Sequence, residues 1–65
     1  MRIELNGETR EVGAERLDAA LDELGYSGAT VATAVNGAFV PRAARASTTL
    51  REGDRVEVVA PLQGG

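Results

Sequence analysis

Near the start of the chain, Ile3 and Leu5 alternate with Arg2 and Glu4, the period-two pattern of a half-buried strand. Asn6-Gly7 follows, the preferred dipeptide of a tight type I′ turn because both residues tolerate positive φ. The segment therefore reads as a hairpin, whose returning strand, Glu8 to Val12, is more polar and has one face in water. The period then changes. Leu17, Ala20, Leu21 and Leu24 recur at i, i+3, i+4 and i+7 and make one helical stripe, with Gly25 placed to end the helix. Its start is poorly marked, since neither Gly13 nor Ala14 is a strong cap. "ATVATAVNGAFVP" predicts another strand, small and β-branched enough for a central position, which turns at Asn36-Gly37 and returns through Phe39 and Val40. Pro41 stops that ladder. "RAARASTTL" has no clear period and reads as a connection to Leu50, after which Gly53-Asp54 turns the chain into a last strand carrying Val56 and Val58.

Hairpin, helix, hairpin, connection and last strand predict an α+β fold, a mixed sheet of about four to five strands with one main helix across one face. The last strand fits beside the first in the middle of the sheet, the β-grasp (ubiquitin-like) arrangement. Residues 1–59 form the expected domain, and residues 60–65 a flexible tail closing on Gly64-Gly65. With 65 residues the domain buries only about 60% of the surface of its unfolded chain, so modest stability is expected.

Composition removes most chemistry. The sequence contains neither cysteine nor histidine, hence no thiol nucleophile, no disulfide and none of the commonest transition-metal ligands. Nor does it show a P-loop, a nucleophile beside a base, or metal-ligand spacing, so no catalytic residue and no metal site is expected. Seven arginines face ten carboxylates for a net charge of −3, without a single lysine. An acidic balance with only Tyr26 and Phe39 as aromatics argues against nucleic-acid binding. There is no apolar run of the roughly 20 residues that span a bilayer, and "MRIELNGE" lacks a signal-like stretch, so a cytoplasmic protein with no membrane contact is the expectation.

The opening "IELNGE", the central "VATAVNGAFVPR", then "TTLREGDRVEVV" and the final "QGG" resemble, in order and spacing over essentially the whole chain, the ThiS family of thiamin-pathway sulfur carriers. The related subunit that supplies sulfur to molybdopterin also ends in Gly-Gly. It is usually longer and lacks the Asn-Gly-x-x-Val-Pro-Arg run present here at Asn36 to Arg42.

The resemblance implies a role for the tail. A free α-carboxylate, here that of Gly65, is ionised at neutral pH but inert as an acyl donor until it carries a leaving group. An adenylating enzyme of the ubiquitin-activating type (ThiF type) would join it to the α-phosphate of ATP, using magnesium. A cysteine desulfurase or other persulfide donor would then convert it to a C-terminal thiocarboxylate. A thiazole synthase (ThiG type) would receive the sulfur for thiazole formation in thiamin biosynthesis. The domain is thus expected to be a co-substrate, not an enzyme, with no cofactor bound tightly. Gly64 and Gly65 suit entry into a closed nucleotide site because they lack Cβ. Ala60 to Gly65 extended reaches roughly 20 Å, and Pro61 keeps the base of the tail extended. Carriage of sulfur to molybdopterin or another metabolite, attachment to target proteins as a modifier, and a plain interaction module in which the tail is idle stay open.

Secondary candidates surround the tail. Pro61, Leu62 and Gln63 are the expected partner contacts, Leu62 either docking on the activating enzyme or folding back onto the sheet. Phe39 is expected in the core, and Tyr26 as a packing residue with its hydroxyl in water. Arg42, Arg45, Arg51, Glu52 and Arg55 read as a charged face, solvated or, alternatively, paired with carboxylates on a partner's surface, and Asp18, Asp22 and Glu23 as solubility charges on the helix.

Overall fold

Two Asn-Gly turns organise the sheet. Asn6 and Asn36 take up φ of 49° and 50°, each followed by a glycine at φ above 80°, so both hairpins close in the two-residue form that the right-handed twist of strands favours. The structure, a computed structural model, describes residues 1–60. Its strands are β1 (Arg2–Leu5), β2 (Glu8–Glu11), β3 (Ala32–Val35), β4 (Ala38–Val40) and β5 (Arg55–Val59), in the order β2-β1-β5-β3-β4. β5 runs parallel to β1 and antiparallel to β3, so the last strand lies in the middle, as the β-grasp reading requires. The α-helix α1 (Leu17–Glu23) packs on one face, and the expected α+β architecture is the one observed.

Strand parity decides what is buried. Ile3 and Leu5 of β1 and Val56 and Val58 of β5 point toward the helix and meet Leu17, Ala20 and Leu21 in the core. Burying a side chain of this size stabilises by roughly 1.5–3 kcal/mol, which is how so small a domain offsets its chain entropy. β2 departs from expectation: all four of its residues are exposed, because it is the outermost strand, and Val12 just beyond it is the buried one.

The helix ends explain an ambiguity in the sequence. No side chain caps the start. Instead the N–H of Leu17 donates to the carbonyl of Thr48 at 2.9 Å and the N–H of Leu50 to that of Glu15 at 2.8 Å, a short bridge that satisfies a first-turn donor from outside the helix. At the other end Gly25, at φ 96°, donates to Asp22 and Tyr26 donates to Leu21, the two bonds of a Schellman motif. Gly28, at φ 74°, and the bond from Ala29 N–H to the Tyr26 carbonyl prolong the turn, so β3 begins at Ala32, later than the apolar run suggests.

The connection after Pro41 is not irregular. Residues Arg42–Ser47 form a 3-10 helix, whose three-residue period is too short-lived to show as hydrophobic patterning. Arg45 on it contradicts the expected solvated charged face. Its Nη2 donates to the Val31 carbonyl at 2.7 Å and its Nε to the hydroxyl oxygen of Thr33 at 3.0 Å, so this half-buried arginine fastens the segment to β3. Glu52 likewise accepts from the N–H of Arg2 at 3.0 Å. Glu23 is more than a solubility charge, since its carboxylate accepts the N–H of Gly13 at 2.8 Å and ties the helix end to the β2–α1 link.

Candidate functional site

The expected site residues Pro61, Leu62, Gln63, Gly64 and Gly65 lie outside the described residues. What the structure defines is their point of departure. β5 ends at Val59, followed by Ala60, and both flanks of this end of the strand are occupied. On one side Ala32 of β3 is the register partner of Val59, and Thr33 that of Val58.

On the other side the partner is a side chain. The main-chain ladder between β1 and β5 places the N–H of Glu4 on the Asp54 carbonyl and that of Asn6 on the Val56 carbonyl. The next rung would fall at Val58, but the chain has turned away at Asn6-Gly7. The carboxamide of Asn6 supplies it: Nδ2 donates to the Val58 carbonyl at 3.0 Å, and Oδ1 accepts the Val58 N–H at 2.9 Å. The other Asn-Gly turn does the same at the start of the strand. Asn36 Oδ1 accepts the N–H of Arg55 at 2.9 Å, its Nδ2 donates to the Asp54 carboxylate at 3.0 Å, and its N–H donates to the Arg55 carbonyl. Sequence reasoning saw these asparagines only as turn formers. The signal available was their identity, since glycine and aspartate also serve such turns but only asparagine offers both a donor and an acceptor.

Beside this root lies an apolar surface that joins Val59, apolar at the base of the tail, to Phe39. Phe39 is 70% exposed and Val59 60% exposed, which corrects the expectation that Phe39 sits in the core. The cause is register. The two-residue turn pairs Val35 with Ala38, Ala34 with Phe39 and Thr33 with Val40, so Val40 and the buried Thr33 face the helix while Phe39 shares the open face with Ala34. Ala32, Ala34, Phe39, Glu57 and Val59 line a shallow depression there of about 180 Å³. Across β1 the same open face turns charged, with Glu4 opposite Arg55.

A second depression, of about 230 Å³, lies on the helix side between the end of α1 and the 3-10 helix, lined by Asp18, Asp22, Tyr26, Arg42 and Arg45 among others. Both acidic and basic side chains line it, and it lies on the face opposite Phe39. Tyr26 is half-buried and packs against the core, as expected. Among the described residues no cluster of three or more metal-ligating side chains occurs, and no helix is long and apolar enough to cross a membrane.

The open face, the central last strand and its guarded end can be set beside known proteins. The model of the ThiS family matches residues 3–65. The chain belongs to the ThiS family. The crystal structure of the thiamine biosynthesis protein (ThiS) from Geobacter metallireducens superposes with a TM-score of 0.84 at 33% identity, covering 100% of both chains. A thiazole synthase from Paramagnetospirillum magneticum is 36% identical over 66 residues, which are 100% of this chain and 20% of that protein. The chain thus spans 20% of the length of that curated relative.

Proposed function

We propose that this ThiS-family domain is a sulfur carrier for thiazole formation, loaded at the carboxylate of Gly65. Family membership supports the carrier role, and the thiamine biosynthesis protein and thiazole synthase among its relatives favour the thiazole branch. In the loading reaction the Gly65 carboxylate attacks the α-phosphate of ATP, releasing pyrophosphate and leaving an acyl-adenylate. The terminal sulfur of a persulfide then displaces AMP, and a second thiol cleaves the resulting S–S bond to free the thiocarboxylate. ATP and magnesium belong to the adenylating enzyme, the persulfide to a desulfurase. The thiocarboxylate sulfur is passed to a thiazole synthase.

The observation that carries this reading is the position of Val59. It is at once the last residue of the central strand and a member of the exposed apolar patch with Phe39. An enzyme that receives the tail must contact the domain at this root, because the five residues Pro61 to Gly65 span at most roughly 17 Å. That enzyme is therefore the occupant proposed for the Phe39–Val59 face, with Pro61, Leu62 and Gln63 continuing the contact into its channel.

Intact-mass measurement tests the proposal. The protein is incubated with a cognate adenylating enzyme, ATP, a cysteine desulfurase and cysteine. A gain of one oxygen-to-sulfur exchange, mapped to Gly65 and lost again on addition of thiazole synthase and its other substrates, is expected. An unchanged mass, with no adenylate from an enzyme that activates a control carrier, overturns it.

A further inference from the structure

We infer that Asn6 is a positioning residue for the activated terminus: its carboxamide completes the β1–β5 ladder at Val58 and so fixes the direction in which the chain leaves the sheet. The inference rests on the proposed adenylation of Gly65 and adds to it a residue distant in sequence. Asn6 and Val58 are 52 positions apart, yet two hydrogen bonds of 2.9 and 3.0 Å make the side chain behave as a peptide group of β1.

The geometry gives the clamp its significance. Val58 is two residues before Ala60, and from Ala60 onward the chain must reach the α-phosphate of a nucleotide. Once the activating enzyme holds the tail extended in its channel, an angular error at Val58 is carried along it, whereas the same error at the other end of β5 is absorbed by the sheet. Reactions that depend on a near-attack alignment lose rate steeply with such displacement, up to a hundredfold for about 1 Å. Without the Asn6 rung, β5 would be held beyond Val56 from the β3 side alone. Asn6 therefore acts on the reaction by defining where the tail starts.

The molecule contains its own control. Asn36 has the same residue type, the same positive φ and the same Asn-Gly turn, and it clamps the same strand through Arg55 and Asp54 at the end remote from the tail. Glycine at either position keeps the turn, because glycine adopts positive φ freely, and removes only the carboxamide.

The experiment compares Asn6→Gly and Asn36→Gly in the full chain, by amide exchange on the protein alone and by steady-state kinetics of adenylate formation. In Asn6→Gly the Val58 amide is expected to exchange at least about tenfold faster, since its acceptor is gone. The kcat of adenylation is expected to fall about tenfold with KM little changed, as for an interaction that orients a bound reactant. In Asn36→Gly the Arg55 amide should exchange faster instead, with both kinetic parameters within about twofold of wild type. Equal losses in the two variants would mean that Asn6 serves stability alone, and unaltered kcat in Asn6→Gly would mean that the exit direction does not matter. Either overturns the inference while wild-type adenylation stands. Absence of adenylation in the wild type overturns the functional reading, and this inference with it.

Discussion

Arg45 donates from Nε to the hydroxyl oxygen of Thr33 at 3.0 Å, while that hydroxyl in turn donates to the carbonyl of Val40 at 2.8 Å. Thr33 is 2% exposed, so a short polar chain runs from the 3-10 helix through the core face of β3 to β4. Hydrogen bonds from a charged donor contribute up to about 1.5–3 kcal/mol, solvent lowers the sum of the two for a half-buried side chain, and removing the donor leaves the Val31 carbonyl without its partner. Arg45→Ala should therefore destabilise by about 2 kcal/mol in urea denaturation, and Arg42→Ala, on an exposed neighbour, by less than about 0.5 kcal/mol. For a domain of this size the first corresponds to a drop in melting temperature of roughly 8–16 °C. Arg45→Lys should restore little, since one ammonium group does not reproduce two donors held in a planar fork.

Phe39 and Val40 are adjacent but belong to opposite faces, and their substitutions should part accordingly. Phe39→Ala removes a side chain that is 70% exposed, so its unfolding free energy should change by less than about 1 kcal/mol. Under the proposed function its KM for adenylation should rise about tenfold, the loss expected of an aromatic anchor in an interface. Val40→Ala, at a residue 8% exposed, should cost about 1–2 kcal/mol in stability and leave KM unchanged. Thermal melts and activation kinetics on the two variants decide the matter, and a large stability loss in Phe39→Ala would place Phe39 among the packed residues instead of on the open face.

How much of this was legible beforehand depended on how far each signal reaches along the chain. The Asn-Gly turns, the Leu17–Leu24 stripe and the glycine stop at Gly25 depend on neighbours within a few residues, and each is found where the pattern puts it. The central place of β5 followed from element order. Phe39 was misjudged because the face of a strand is set by its partner, and every neighbour in "GAFV" is small or apolar, so no polar alternation marks the outside. Arg45 and Glu23 looked like surface charges because their acceptor and donor lie 10 or more positions away. The open start of α1 is a true absence of a local cap, and the Thr48 carbonyl accepts the Leu17 N–H from across the fold.

Glu23 offers a test that separates charge from hydrogen bonding. Its Oε1 accepts the Gly13 N–H at 2.8 Å in an exposed setting. If the bond is what matters, Glu23→Gln retains a carbonyl acceptor and should match wild type within about 0.3 kcal/mol, whereas Glu23→Ala should lose about 0.5–1 kcal/mol. If Glu23 acted only as a negative charge, the two variants would be equally affected, and both effects would fade with added salt. Urea denaturation at low and at high ionic strength distinguishes the two.

The terminus proposed for loading can be separated from the fold by single-residue changes. Glycine carries no side chain, so deleting Gly65, or extending the chain by one residue beyond it, removes no side chain, and the melting temperature should hold within about 1 °C. Adenylation should fail in both, because one residue alters the reach by about 3.3–3.6 Å, more than the alignment of a carboxylate with an α-phosphate tolerates. Leu62→Ala should weaken engagement with the activating enzyme more than it weakens folding, seen as a raised KM at unchanged stability. Full loading of the extended chain, on the carboxylate of the added residue, would show instead that the nucleotide site tolerates a longer reach than this alignment argument allows, and equal KM for Leu62→Ala and wild type would remove Leu62 from the interface.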